Sequence, residues 1–432
     1  MHSILYLSEQ HQRKQLNDLS DDLLLVLRED SYGKAFHNKA DVPCFRLYKE
    51  EQAFLVDSNY FVGVDWLVPQ KAVIYIEPKL NDRTQVDFLG MLLQSLEAPE
   101  NLEHLEGLFQ VDYEAPWISI PSQKDLLSPV LIIQFLKLVQ KIVRKGLKKS
   151  YYVVEENLDS RVKGKIKVAR QIKENIVKSR LTKTICRYQE YGVNTRENQF
   201  LKLVLNFVSA YLSQRQHFFT VAQQQQLQHI LSYCLPAFQS VEELEQPHQR
   251  IHIKKNVFYK EYEEAIKVGG YILKRFSYNI NRTSQEQTAT PPFWIDMSKL
   301  FELYVYSQIR KVFPQPNAVS YHDSFWGGKE TDILIREEGS KCVVDCKYKP
   351  QYKDHSPSLE DKRQLAGYVR LKSVYNKLDV QQHELIKGLI IYSHQEAPAQ
   401  ILKGELFKTE MGEYVKFYKL GIRLPELQND VW

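Results

Sequence analysis

Two aspartates and a lysine near residue 340 are the side chains in this sequence best suited to catalysis. Asp332 begins an extended apolar run, and Asp345 and Lys347 end the next run, after a polar turn. Because residues two apart in a strand point to the same face, Asp345 and Lys347 project together, and a hairpin would bring Asp332 beside them. Two carboxylates can hold Mg²⁺ through oxygen ligands, and a neighbouring lysine can orient or activate water. The pattern predicts a site for metal-assisted hydrolysis.

A helix upstream of this hairpin adds a third carboxylate. Residues Asp296 to Phe313 carry apolar side chains at helical spacing, and Glu302 lies near the centre of the apolar stripe. A carboxylate on a core-facing side needs a partner, and a bound metal would supply one. Glu302 could instead cap the helix or pair with Lys299 or Arg310, so both interpretations stay open.

A helix downstream of the hairpin adds a polar pair. Gln364 and Tyr368 are four residues apart and therefore share one helix face. Ser358 and Asp361 have the spacing of a capping box that begins this helix. The pair is a candidate for the site, although a polar and an aromatic residue on one face also occur on ordinary amphipathic helices.

Other polar residues near the hairpin are weaker candidates. A D-x-K triplet by itself usually marks the exposed end of a strand, so the assignment depends on the whole set in its order and spacing. His322 and Asp323 lie upstream, but their spacing requires no chemical role, and a surface loop is expected there. Glu330 is a further candidate ligand.

The composition is that of a globular protein with substantial hydrophobic cores. The length of 432 residues predicts two or three domains, and 43% of the residues are hydrophobic. The formal net charge of +5 is compatible with a nucleic-acid partner but does not establish one, because net charge governs association and not fold.

Cysteine usage and hydropathy predict a cytoplasmic protein. The chain lacks a CxxC pair, which disfavours a zinc ribbon, and its scattered cysteines favour a reducing compartment. The first residues lack the apolar core of a signal peptide, and no apolar run approaches the ~20 residues that span a bilayer. We therefore expect no membrane association. The five cysteines are Cys44, Cys186, Cys234, Cys342 and Cys346.

The chain is predicted to be an α+β protein with several domains. Residues 1–121 read as short strands with turns, forming a β-rich N-terminal domain. Residues 122–280 are mostly helical, and residues 281–292 are polar and end in two prolines, as linkers do. Residues 293–432 then hold helix, hairpin, helix, strand and a final hairpin, which is a mixed α/β layer fold.

A basic stretch in the middle region is a candidate DNA-binding element. Its alternation of charged and apolar residues predicts a strand with one cationic face, which could contact phosphates and release counterions. A solvated edge strand, in which lysines discourage aggregation, explains the pattern equally well. The candidate phosphate contacts are Lys163, Lys165, Lys167 and Arg170.

The candidate residues together resemble the PD-(D/E)xK nuclease core, in which a strand pair carries an acid and then acid-x-lysine. Thr331 stands where that family often has proline, a departure that does not touch the chemistry. Over most of the chain, longer strings resemble McrC, the nuclease subunit of McrBC-type modification-dependent restriction systems. These strings are Ile76–Lys79, Gly146–Leu147, Val162–Ile166, Asn194–Asn198, Asp296–Val305, Val344–Tyr348 and Gln364 with Tyr368.

The resemblance implies a partner and a division of labour. McrC-like subunits work with a hexameric AAA+ GTPase of the McrB type, which recognises and translocates double-stranded DNA carrying methylated cytosine. The McrC-like N-terminal half docks on this hexamer, inserts into its central channel and stimulates its GTPase, while the C-terminal domain cuts the DNA. This chain has no GxxxxGK[ST] loop, so it is not expected to bind nucleotide alone.

The resemblance also implies roles within the site. Asp332, Asp345 and the backbone carbonyl of Cys346 would coordinate Mg²⁺, with Glu302 helping directly or through water. Lys347 would position the attacking water or stabilise the charge that develops on the phosphorane, with Gln364 and Tyr368 beside it.

Two other classes of function stay open at this stage. One is a stand-alone DNA repair or processing nuclease with the same core and no GTPase partner. The other is a non-catalytic adaptor that uses the nuclease fold as a scaffold, which the complete set of two acids and a lysine disfavours.

Overall fold

The computed structural model forms two compact units. One contains residues 1–130 and 282–432, and the other contains residues 131–281. Within the described part of the chain, none of the helices is both long and apolar enough to cross a bilayer. The structure describes residues 3–9, 14–16, 31–36, 39–50, 53–78, 85–105, 107–214, 219–244, 260–280, 287–325, 329–348 and 357–426.

The described strands and helices are numbered in chain order. The strands are β1 (Ser3–Ser8), β2 (Lys14–Gln15), β3 (Ser31–Phe36), β4 (Lys39–Glu50), β5 (Ala53–Ser58), β6 (Phe61–Val68), β7 (Ala72–Glu77), β8 (Phe109–Val111), β9 (Ile118–Pro121), β10 (Ser150–Asp159), β11 (Lys165–Ile166), β12 (Lys183–Gly192), β13 (Gln287–Thr290), β14 (Phe293–Asp296), β15 (Val319–Phe325), β16 (Lys329–Ile335), β17 (Cys342–Lys347), β18 (Lys387–Ser393) and β19 (Phe417–Ile422). The helices are α1 (Phe88–Ser95), α2 (Leu127–Lys145), α3 (Val168–Gln171), α4 (Arg196–Gln214), α5 (Val221–Cys234), α6 (Lys260–Ile280), α7 (Met297–Val312), α8 (Leu359–Tyr368) and α9 (Lys372–Leu378).

The N-terminal part of the first unit is β-rich, as predicted. One sheet has the strand order β1-β7-β6-β14-β8, and a second has the order β2-β5-β4-β3. Their apolar residues meet in one buried cluster, which includes Phe45, Val56, Ile74 and Trp294. Trp294 also donates from Nε1 to Oδ2 of buried Asp65 at 3.0 Å, so its polar atom is satisfied inside the core.

The predicted linker and the domain boundary after it differ from the structure. Part of the linker forms β13, which pairs with β9, so residues 287–290 are ordered sheet rather than a connection. The next strand, β14, lies between β6 and β8 in the N-terminal sheet. The polar composition of residues 281–292 predicted a break, but a strand partner more than 160 residues away supplies the backbone hydrogen bonds.

A second five-stranded sheet with the order β15-β16-β17-β18-β19 carries the predicted hairpin. β15, β16 and β17 are antiparallel neighbours, whereas β17, β18 and β19 run parallel. α7 packs against β17 and β15, and α8 packs against β17 and β18. Leu365 of α8 is fully buried in the cluster that also holds Leu334, Val343 and Ile390. The hairpin of β16 and β17 is therefore held in a sheet that packs against both α7 and α8.

Two sequence expectations for this sheet were incomplete or wrong. β15 was expected to be a surface loop, yet it pairs along β16. The predicted hairpin around Met411 is present only as a short antiparallel pairing, in which the N–H of Met411 donates to Phe417 and the N–H of Lys419 donates to Thr409. The strand β19 itself runs parallel to β18 at the edge of the sheet, which was not predicted. In both cases the neighbouring strand in the folded sheet, and not the local sequence pattern, determines whether the segment forms a strand and in which direction it pairs.

The second unit combines helices with a sheet. α2, α4, α5 and α6 fulfil the prediction of a mostly helical middle region. A three-stranded antiparallel sheet with the order β10-β12-β11 adds two ten-residue strands that the sequence analysis did not predict. The basic stretch contributes only Lys165–Ile166 to this sheet, and the chain then turns into α3, so the predicted continuous cationic strand is wrong.

Gly63 allows β14 to lie against β6. A Cβ added at Gly63 would lie 2.0 Å from the carbonyl oxygen of Phe293, which is backbone and cannot rotate away. We expect Gly63→Ala to lower the free energy of unfolding of the first unit by about 3 kcal/mol, because the strands must separate. Urea-induced unfolding measures this change. Gly404→Ala is the matched control, since a Cβ there meets no atom within 4 Å, and equal stability of the two variants would contradict the packing argument.

Candidate active site

The strand register of β16 and β17 brings the two predicted aspartates together. Ile333 pairs with Val344, so the next position outward places Asp332 opposite Asp345. Oδ2 of Asp332 accepts a hydrogen bond from the backbone N–H of Cys346 at 2.7 Å, which fixes this carboxylate on the adjacent strand. The strand register therefore places the two carboxylates side by side, and their shared role in catalysis stays a prediction.

Lys347 links the second aspartate to the downstream helix. Its Nζ lies 3.0 Å from Oδ2 of Asp345, which is 1% exposed, and donates to Oε1 of Gln364 at 2.8 Å. Gln364 in turn donates from Nε2 to the hydroxyl of Tyr368 at 3.0 Å. The capping box of Ser358 that begins α8 is present, so the helix holds this chain of contacts in place.

Glu302 reaches the site from α7 and contacts strand β15. Its Oε2 accepts from the hydroxyl of Tyr321 at 3.2 Å and lies 3.0 Å from Nε2 of His322. The ladder pairs Tyr321 with Ile333 and Asp323 with Thr331, so His322 lies directly across from Asp332. Glu302, His322 and Asp332 each offer one ligand atom, and these three atoms lie within 4.8 Å of one another.

His322 is the site residue that sequence reasoning missed. Its backbone has a φ of +49°, which is uncommon for a residue other than glycine, and it lies within a strand rather than a loop. Only the antiparallel pairing of β15 with β16 brings it to Asp332, and no local spacing encodes that register. Its neighbour Asp323 contacts Lys377 and lies 3.7 Å from Arg336, so these two cations compensate its charge within the fold.

The carboxylates of the site carry more negative charge than the surroundings compensate. Burial and the nearby charge of Glu302 raise the pKa of Asp332, and burial and the charge of Asp332 raise the pKa of Asp345. Burial lowers the pKa of Lys347, but Asp345 and Asp332 outweigh it, so the pKa of Lys347 is raised and its ammonium is retained. The site favours added positive charge.

The donor set fits a divalent cation. Carboxylate oxygens are ligands that Mg²⁺ and Mn²⁺ take in proteins, and Glu302 and Asp332 each present one. His322 adds an imidazole nitrogen close to both of these oxygens. Asp345 lies beside this trio and is held by Lys347. The side chain of Cys346 is buried; its N–H contacts Asp332, and only its carbonyl was a predicted ligand.

The predicted DNA-binding residues are partly or fully exposed, and most of them are ion-paired. Lys163 contacts Glu190 at 2.8 Å, Lys167 lies 3.9 Å from Glu155, and Arg170 pairs with Glu155 and with Glu174. For Lys165, the fourth member, the structure shows an exposed side chain on β11. These acidic partners reduce the local positive potential that the sequence suggested.

The sequence matches the family model of the McrBC 5-methylcytosine restriction system component over residues 59–386. No match was found among curated proteins. A chain in the refined half-complex of a tetradecameric assembly of Thermococcus gammatolerans McrB AAA+ hexamers with bound McrC is 16% identical, with 98% of this chain and 94% of that chain covered and a TM-score of 0.42. A chain of the Thermococcus gammatolerans McrBC complex is 15% identical, with 73% and 89% covered and a TM-score of 0.30. Both TM-scores are low, so the family assignment rests on the family model.

The raised carboxyl pKa values predict that the metal-free site destabilises the protein at high pH. A carboxyl whose folded pKa exceeds its unfolded value binds its proton more tightly in the folded state, so stability falls as pH rises from the unfolded pKa through the folded one. We expect Asp332→Asn to raise the free energy of unfolding at pH 8, without metal, by roughly 1–2 kcal/mol, with a smaller gain at pH 5. Urea unfolding at the two pH values measures the difference, and a destabilised variant at pH 8 would contradict the charge argument.

Proposed function

Because this chain belongs to the McrBC family of 5-methylcytosine restriction system components, we propose that it is the metal-dependent DNA endonuclease subunit of a modification-dependent restriction complex. The observation that supports this most directly is the contact of Lys347 with buried Asp345 beside the trio of Glu302, His322 and Asp332. The two acids and the lysine come from adjacent strands, as the resemblance to PD-(D/E)xK nucleases requires. The reaction is phosphodiester hydrolysis.

In the proposed mechanism the chain positions charge around the scissile phosphate. Asp332 and Glu302 would hold Mg²⁺, with Asp345 and the carbonyl of Cys346 as further ligands. When bound, the cation would supply Lewis-acid polarisation of a phosphate oxygen and lower the pKa of water. Lys347 remains protonated between Asp345 and Gln364, so it would stabilise the negative charge that develops on the phosphorane.

Gln364 and Tyr368 act on Lys347 and not on the phosphate in this proposal. Gln364 accepts from the ammonium through Oε1 while its amide donates to Tyr368, so the amide orientation is fixed from both ends. A lysine has several rotatable bonds, and these contacts limit the rotamers that its ammonium can take. We infer that they aim Lys347 at the phosphate.

The second unit presents a surface suited to a protein partner. Large apolar side chains are exposed on and beside the sheet of β10, β12 and β11, and exposed apolar surface often marks a site for another protein. We propose that this surface, together with the β-rich residues 1–121, contacts the hexameric AAA+ GTPase of the McrB type and stimulates its GTPase. The exposed residues are Tyr151, Val153, Val162, Ile166, Val168, Ile172, Ile176, Val177, Leu181 and Tyr191.

Double-stranded DNA carrying 5-methylcytosine is the proposed substrate of the complex, and the cytoplasm is its proposed location. Lys163, Lys165, Lys167 and Arg170 remain candidate phosphate contacts, since their side chains reach the surface even where glutamates pair with them. The five cysteines are free buried thiols, which suits a reducing compartment.

Lys347→Ala tests the catalytic assignment. We expect it to slow cleavage of methylated plasmid by about 10²–10³-fold, because it removes the cation that stabilises transition-state charge. The assay contains Mg²⁺, GTP and the McrB-like partner, and the partner's GTPase stimulation should stay unchanged. Lys362→Ala is the matched control, since Lys362 lies on α8 but pairs with Glu413 at 2.9 Å. Cleavage at the normal rate by the Lys347→Ala variant would contradict the assignment of the catalytic site.

Val177→Asp tests the partner surface. Val177 is 73% exposed in the second unit, and we expect the charged substitution to weaken binding of the McrB-like partner about tenfold, with loss of GTPase stimulation. Size-exclusion chromatography and GTP hydrolysis measure the two effects. Val415→Asp, at 74% exposure in the first unit, is the control and should bind as the unchanged protein does. Equal behaviour of the two variants would place the partner elsewhere.

A further inference from the structure

His322 gives the proposed nuclease site a nitrogen donor. We infer that His322 is a direct metal ligand, and that its imidazole makes the site bind Mn²⁺ in preference to Mg²⁺. This inference rests on the proposed site and names its metal. The placement of the ring, the environment of its second nitrogen and the chemistry of its donor atom support it.

The first support is the position of the ring between two carboxylates. Nε2 of His322 lies 3.0 Å from Oε2 of Glu302, and strand pairing places His322 across from Asp332. The three ligand atoms lie within 4.8 Å of one another, close enough for one cation to contact all of them. Two carboxylates and a neutral imidazole would balance the charge of a divalent cation.

The second support is the environment of the other ring nitrogen. Nδ1 of His322 lies 3.8 Å from Oε2 of Glu330, on the side of the ring away from Glu302. Glu330 is itself held by the hydroxyl of Ser324, which donates to Oε1 at 2.8 Å. Metal-ligating histidines usually present their second nitrogen to a carboxylate, which fixes the tautomer and the ring orientation. Glu330 would thus act as a positioning residue, whereas the sequence alone suggested it as a further ligand.

The donor chemistry then selects the metal. Mg²⁺ is a hard cation that takes oxygen ligands and keeps much of its water, whereas imidazole suits transition metals. Mn²⁺ accepts oxygen ligands as Mg²⁺ does, and the imidazole adds a contact that favours Mn²⁺. A site made only of Glu302, Asp332 and Asp345 would lack this discrimination.

Pulsed electron paramagnetic resonance of Mn²⁺ bound to the full-length chain tests the inference without a variant. We expect ¹⁴N modulation of the Mn²⁺ echo, since a ligated imidazole nitrogen couples to the electron spin. His322→Asn should abolish the modulation, and His383→Ala, which changes an exposed histidine elsewhere in the same unit, should retain it. Mn²⁺ bound without nitrogen modulation in the unchanged protein would overturn the inference.

Calorimetric titration provides the second measurement. We expect His322→Asn to weaken Mn²⁺ binding about tenfold or more and to change Mg²⁺ binding less than about threefold. Equal losses for the two metals would overturn the selectivity. The outcome is separable from the proposed function: cleavage with oxygen-only ligation would defeat this inference alone, and nitrogen ligation in a complex that never cuts DNA would defeat the proposed function alone.

Discussion

The structure depends on the cost of placing several carboxylates at one partly buried point. Asp345 is almost fully buried, Asp332 faces it across the strand pair, and Glu302 approaches from α7. Lys347 compensates one charge by contact with Asp345. Burial, together with the remaining negative charge, raises the pKa of both aspartates, and a divalent cation is the simplest species to neutralise that charge. The protein therefore retains an unfavourable arrangement that a bound metal would relieve.

The surrounding fold resists the repulsion that this arrangement creates. α7 is anchored through Phe301, which lies 5.9 Å from the ring of Tyr348 at the end of β17. The Tyr348 hydroxyl donates to Glu9 at 2.8 Å, so the N-terminal sheet and the strand that carries Asp345 and Lys347 are joined within one unit. Because β14 also lies inside the N-terminal sheet, the segment entering α7 starts from a rigid base. Separate domains joined by a linker would position Glu302 less well.

The sequence predicted the parts of the site that depend on local spacing. Asp345 with Lys347 follows from the two-residue period of a strand, and Gln364 with Tyr368 follows from the turn of a helix. His322 was not predicted, because its place beside Asp332 depends on the register between β15 and β16. The pairing of β13 with β9 was missed for the same reason: residues 287–290 look like a polar connection until their strand partner is known.

The basic stretch shows that a local charge pattern cannot predict a positively charged surface when other strands supply acidic partners. Its lysines and arginine were predicted to form one cationic face, yet Glu155 and Glu190, which are supplied by β10 and β12, pair with several of them. Neutralising partners from other strands are invisible to a local pattern. By contrast, the exposed apolar residues of the same unit could be recognised only once the strands showed which side chains face outward.

Anomalous scattering from crystals of the protein grown with Mn²⁺ would show whether a cation binds between Glu302 and Asp332, because it locates the cation without reference to activity. We expect one strong peak in the first unit that lies within ligand distance, about 2.0–2.3 Å, of carboxylate oxygens from both Glu302 and Asp332. A site occupied elsewhere, with Glu302 and Asp332 contacting only protein atoms and solvent, would contradict this expectation.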